Sequence, residues 1–275
     1  MTAPQSHFLE GTPRLHYLEW NQGGRVTLVA LHGNSANAWW WQPVAAAMAP
    51  GDMRLIALDQ RGHGDSEWVR PPAYAPSDYA GDLARFLSAL RLERPIVVGH
   101  SMGGISVIAF AMRYPEAARA AVAIDVAVTS SHRRNRYLRR LKALPTVAYP
   151  DFETAKARFR LMPDEGEIPP ATLARIAEKS LGRTQAGAYT MKFDRESFFG
   201  SDGIDVSDAL QHVQVPLLLV RAGMSRIMTA EAAQEAAASN PFVRLVEIPA
   251  THHHMLLERP DLLASAIAEF VSALS

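Results

Sequence analysis

The 275-residue chain contains no cysteine, which excludes disulfide scaffolds, thiol nucleophiles, iron–sulfur clusters and cysteine-rich zinc sites together. An excess of either charge is missing as well. Lys and Arg number 28 against 28 Asp and Glu, so no net field draws nucleic acid or an anionic membrane, and neither is an expected partner. Long apolar runs are also lacking: the longest, 105–112 and 215–220, fall well short of the roughly 20 residues that a membrane span needs. The opening segment has neither a basic start nor an unbroken apolar stretch, which makes a cytoplasmic location the expectation. Present instead are 48% hydrophobic and 20% charged residues, enough material for a sizeable core.

Short apolar runs bounded by turn residues recur at 15–20, 26–31, 53–58, 95–98, 120–124, 216–220 and 243–248. Several are apolar throughout rather than alternating, which suits parallel strands covered on both faces. Helical patterns separate them. Residues 78–90 repeat apolar or small side chains at Tyr79, Leu83, Phe86, Leu87 and Leu90, with Ser77 and Asp78 as cap candidates. Strands alternating with helices predict a doubly wound α/β sheet. The rhythm breaks over 129–207, where the chain turns helical, charged and rich in proline. A block of that length between two sheet strands reads as a mostly helical lid over the strand ends, with 1–128 and 208–275 forming the core.

The strongest local signal is Gly99-His100-Ser101-Met102-Gly103, a Gly-x-Ser-x-Gly pattern between the run 95–98 and the helix-like stretch 105–113. A sharp turn that holds a serine above a sheet crowds its neighbours, and only residues without a Cβ fit on either side. Ser101 then sits at a helix N-terminus, where free N–H groups favour developing negative charge. A serine hydroxyl is protonated at neutral pH and needs a base. The segment 249–260 carries three adjacent histidines, His252, His253 and His254, after the last predicted strand, and any of the three fits the role. A metal site there is disfavoured, because consecutive residues rarely point at one ion and no cysteine or acidic pair accompanies them.

With these pieces the chain resembles the α/β-hydrolase family, of the lidded type that includes esterases, lactonases and carbon–carbon bond hydrolases. The resemblance rests on Leu31-His32-Gly33-Asn34-Ser35, on the turn from Asp59 to Ser66, on the serine motif, and on the histidine loop with Glu258 and Pro260. It implies a mostly parallel eight-stranded sheet. The family's histidine lies five residues before the acid of an acid-x-proline step, which selects His253. The backbone N–H groups of Asn34 and Met102 are implied as the oxyanion hole. For the Asn34 side chain, contact with substrate and bracing of its own loop are equal alternatives.

The third triad member of most relatives is an aspartate shortly after the strand 216–220. Here the stretch from Arg221 to Met228 holds no carboxylate. Asp125, at the end of the strand 120–124, is the expected replacement, since some similar hydrolases use an acid there, although relatives that keep the usual acid also carry an aspartate there as a loop brace; Glu231 is the runner-up. Substrate-facing candidates are His100, Trp41 from the run Trp39–Trp41, and Met224 and Met228 beside the catalytic loops. Asp59, Arg61, His63 and Asp65 read as a hydrogen-bonded turn rather than a metal site. The basic run 132–142 reads more readily as a solvated helix face than as an anion-recognising lid.

The activity implied is acyl transfer to water on a small ester or lactone, with no cofactor and a small-molecule substrate as the partner. Carbon–carbon hydrolysis of a diketone, or a weakly catalytic ligand sensor on the same fold, are the alternatives. Dehalogenase and epoxide hydrolase chemistry fits less well, because those relatives carry an aspartate where Ser101 stands.

Overall fold

A computed structural model describes residues 3–48, 51–129, 131–198 and 205–274. Its strands are β1 (Gln5–Leu9), β2 (Leu15–Trp20), β3 (Val26–Leu31), β4 (Met53–Leu58), β5 (Ile96–His100), β6 (Ala120–Ile124), β7 (Leu181–Arg183), β8 (Tyr189–Met191), β9 (Leu217–Ala222) and β10 (Val243–Ile248). Eight of them form one sheet in the order β1-β2-β4-β3-β5-β6-β9-β10. β1 and β2 run antiparallel to their neighbours, and every pair from β4 onward is parallel. This is the eight-stranded, mostly parallel α/β sheet that the sequence predicts.

The helices are α1 (Gln42–Met48), α2 (Pro76–Ala89), α3 (Met102–Arg113), α4 (His132–Ala143), α5 (Phe152–Ala157), α6 (Pro170–Ser180), α7 (Val206–His212), α8 (Ala230–Ala238), α9 (Met255–Glu258) and α10 (Pro260–Ser272). Because side chains alternate across a strand, each buried strand feeds two cores. Leu28 and Ala30 of β3 join Val44, Leu256, Leu263 and Ile267 from α1, α9 and α10 on one face. Val29 and Leu31 join Leu83, Phe86, Val107, Phe110, Leu210 and Ala233 from α2, α3, α7 and α8 on the other. β5, β6 and β9 are buried along their full length, which is why they read as continuous apolar runs.

The stretch between β6 and β9 holds α4, α5 and α6, and also the antiparallel pair β7–β8, which the expectation of a mostly helical segment did not include. Each of these strands is three residues long, too short to show a period. Positions 130 and 199–204 of that stretch lie outside the described residues. α7 begins at Val206 and buries Val206 and Leu210 beneath the sheet, so the return to the sheet layers starts slightly before position 208. Among the described residues no helix is long and apolar enough to cross a membrane.

Candidate active site

The parallel strands β3, β5, β6, β9 and β10 all end on one rim of the sheet, and the loops leaving that rim build the site. β5 turns directly into α3 through Ser101, whose backbone lies at φ 54°, a left-handed value held by its surroundings. The neighbouring glycines are required by space. A Cβ on Gly99 would lie 2.1 Å from the Gly103 carbonyl oxygen, and one on Gly103 would lie 2.5 Å from that of Leu31.

Of the three adjacent histidines only His253 reaches the serine. Its Nε2 accepts from Ser101 Oγ at 3.1 Å, while its Nδ1 donates to Asp125 Oδ2 at 2.7 Å. These partners fix the neutral tautomer with the proton on Nδ1. His252 turns away to Glu258, at 3.0 Å, and His254 donates through Nε2 to the Pro163 carbonyl, at 2.9 Å. Asp125 is fully buried at the end of β6, in the left-handed region at φ 46°. Its carboxylate also accepts from the Ala222 N–H at 3.2 Å and from Ser225 Oγ at 2.8 Å. Ser225 is a residue that reading the sequence missed. It stands in the loop after β9 searched for a carboxylate, and the missing acid draws attention away from the hydroxyl that grips the acid supplied by β6. Glu231 is exposed on α8 and is not brought to His253.

Ser101 faces a cavity of about 220 Å³, lined by the β3 loop (Gly33 to Ala36), the α3 start and the histidine loop, and roofed by Leu138, Leu141, Met162, Pro163 and Phe198 of the inserted segment. Asn34 and Met102 line the same cavity as Ser101, and their N–H groups have no protein acceptor among the described residues. The Asn34 side chain donates to the Ser197 carbonyl at 3.1 Å, which ties the β3 loop to the inserted segment.

Three substrate-facing candidates fall elsewhere. Trp41 is fully buried in the core and does not reach the cavity, whereas Trp40 lines it, edge-on to His254 with ring centroids 5.4 Å apart. The run forms a 3₁₀ turn (Ala38–Trp41), in which successive side chains point about 120° apart. Met228 packs into the core shared with α2, α3, α7 and α8 rather than into the cavity, and Ile227 takes the cavity wall. Met224 is 57% exposed at the tip of the turn closed by the Ser225 N–H to the Ala222 carbonyl. His100 does line the cavity; its Nε2 donates to the His253 carbonyl at 2.8 Å. Burial holds the His100 ring well below the usual imidazole range, with His253 and His254 adding to the effect.

Ring nitrogens of His100, His253 and His254 lie within 4.8 Å of one another, so this trio, unlike the isolated sequence run, has the spacing to hold a metal ion. His16, Asp59 and Asp65 form a second such group. There Asp59 is committed to hydrogen bonds from the Ala38 N–H, His16 Nδ1 and the Asp65 N–H, at 2.6, 2.7 and 2.9 Å. On α4, Arg133, Arg136, Arg139 and Arg140 are exposed, as a solvated face requires, but Arg134 turns into the cavity wall.

Residues 28–266 match the family model of the alpha/beta hydrolase family. The 2-(acetamidomethylene)succinate hydrolase of Mesorhizobium japonicum is 27% identical over 92% of this chain and 90% of its own length. The esterase Rv0045c of Mycobacterium tuberculosis is 28% identical over 77% of this chain and 70% of its own. The crystal structure of an E-2-(acetamidomethylene)succinate hydrolase superposes with a TM-score of 0.83 at 25% identity, covering 98% of this chain and 99% of that one. With the match running from β3 into the last helix, the chain is a member of the alpha/beta hydrolase family.

Proposed function

We propose that this chain is a serine hydrolase that cleaves a small to medium carboxylic ester or lactone through an acyl-enzyme on Ser101. The observation that carries the reading is the unbroken chain of hydrogen bonds from Ser101 Oγ through both nitrogens of His253 to the buried Asp125 carboxylate. A proton leaving the hydroxyl has an acceptor in line, and the imidazolium that results has a counter-charge in contact. In the proposed reaction Ser101 Oγ attacks the carbonyl carbon while its proton passes to His253 Nε2. The Asn34 and Met102 N–H groups donate to the oxyanion, with the α3 N-terminus adding its dipole. Collapse expels the alcohol with the proton from His253, and water then repeats the sequence on the acyl-enzyme. No step calls for a cofactor. Residues 129–207 act as a cap that keeps bulk water from the acylated serine. Relatives named as an esterase and as a 2-(acetamidomethylene)succinate hydrolase are consistent with hydrolytic chemistry.

Intact-mass measurement after treatment with a fluorophosphonate is expected to give one adduct, absent in Ser101→Ala. Failure to label wild type under conditions that label a control esterase would reject the reading in favour of a ligand sensor.

A further inference from the structure

The cavity wall is largely apolar, with Trp40, Met102, Ile105, Leu138, Leu141 and Phe198 among its residues, and among the described residues no Asp or Glu lines it. Among those same residues one permanent cation intrudes. Arg134 sits in the first turn of α4, partly buried, and among the described residues its guanidinium makes a single hydrogen bond, from Nη2 to the Thr129 carbonyl at 3.0 Å. A guanidinium has five N–H donors. Among the described residues no carboxylate lies within ion-pair distance of it, whereas Arg61, Arg70, Arg221 and Arg259 all have such partners. Helix stability does not explain the placement either. The first turn of α4 holds His132, Arg133 and Arg134 and no acid, the reverse of what the helix dipole favours. Burial lowers the Arg134 pKa, the mark of a charge that has lost water without gaining a counter-ion.

We propose that Arg134 is a carboxylate-binding subsite, so that the preferred substrate carries an anionic group on the acyl chain beyond the carbonyl that Ser101 attacks. The inference rests on the serine-hydrolase reading for its reaction but not for its binding. A planar fork with open donors matches a carboxylate by two parallel hydrogen bonds, and an apolar surround strengthens them. The rest of the wall then holds the methylene chain between the two polar ends.

The test compares para-nitrophenyl hydrogen glutarate with para-nitrophenyl pentanoate, acyl chains of equal length that differ in a terminal carboxylate. Arg134→Met is expected to lower the glutarate-to-pentanoate ratio of kcat/KM by about tenfold or more, chiefly through KM. Arg134→Lys should keep part of the preference, and Arg133→Met, on the exposed face of the same helix, all of it. An unchanged ratio in Arg134→Met, or equal losses on both esters, overturns the subsite. Calorimetric binding of glutarate to Ser101→Ala, with and without Arg134→Met, separates the two claims. If wild type hydrolyses neither ester but glutarate binding depends on Arg134, the subsite stands and the serine chemistry falls. If both esters are hydrolysed and glutarate binding ignores Arg134, the reverse holds.

Discussion

Ser225 Oγ donates to Asp125 Oδ2 at 2.8 Å, the same carboxylate oxygen that meets His253 Nδ1 at 2.7 Å. The same hydroxyl oxygen accepts from the Ile227 and Met228 N–H groups, at 3.0 and 3.1 Å. Ser225 therefore orients the acid and closes the loop after β9 at once. Ser225→Ala is expected to lower kcat on an activated aryl ester roughly tenfold and to cost about 1–2 kcal/mol of stability. Steady-state kinetics and denaturant melts check the two effects separately; an unaltered kcat would leave Ser225 with a purely structural part.

Asp125→Asn keeps the shape of the side chain but removes the charge facing His253. A loss on the order of 10⁴ in kcat is expected by analogy with serine proteases of the same arrangement. Glu231→Gln should leave the rate within about twofold of wild type, since Glu231 is exposed on α8. The opposite ranking of the two variants would reject Asp125 as the acid.

Two glycines should respond in opposite senses to alanine. Gly99 has the Gly103 carbonyl 2.1 Å from where its Cβ would stand, whereas Gly81 in α2 has nothing within 4 Å. Gly99→Ala should destabilise the protein by about 3 kcal/mol or more, or prevent soluble expression. Gly81→Ala should stabilise it by about 0.5–1 kcal/mol. Chemical denaturation of the pair reads both.

Burial, helped by a neighbouring imidazole, holds the His63 and His254 pKa values down to about 3. In the unfolded chain each ring titrates near 6.5, so below that pH the unfolded state binds protons that the folded state refuses. Stability is therefore complete above about pH 6.5 and is lost as pH falls toward 3, by on the order of 2 kcal/mol per ring at about pH 5. Urea midpoints at about pH 7 and pH 5 should differ accordingly, and the difference should shrink in His63→Gln and His254→Gln. Equal midpoints at the two pH values would contradict the burial argument.

Prolonged dialysis against a chelator is expected to leave the proposed ester hydrolysis intact, because His253 already has Asp125 and Ser101 as partners. Activity that disappears and returns with added zinc would instead make His100, His253 and His254 a working metal centre.

The core strands were legible because β5, β6 and β9 are covered on both faces, so their sequences have no polar alternation to confuse them. β1 was not among the apolar runs. It is an edge strand with residues mostly exposed or half-buried, and its pairing with β2 is made by backbone. The serine turn was legible because its glycines answer to close backbone contacts fixed within a few residues of chain. Which of Trp40 and Trp41, or of Ile227 and Met228, meets the cavity was not. Neighbouring residues of like chemistry differ there only in direction, and direction is set by packing between distant elements. Arg134 shows the same limit: six basic residues on α4 look alike until the helix is laid against the sheet.

Ser101, Asp125 and His253 lie outside the stretch between β6 and β9 or at its edge, whereas Arg134, Leu138, Leu141, Met162 and Phe198 lie within it. On the proposed reading, reactivity and selectivity are thus encoded on separable lengths of chain. A lineage can exchange its roof for another and inherit a new diet with the old chemistry, and grafting the roof alone onto a relative should move appetite without moving the nucleophile.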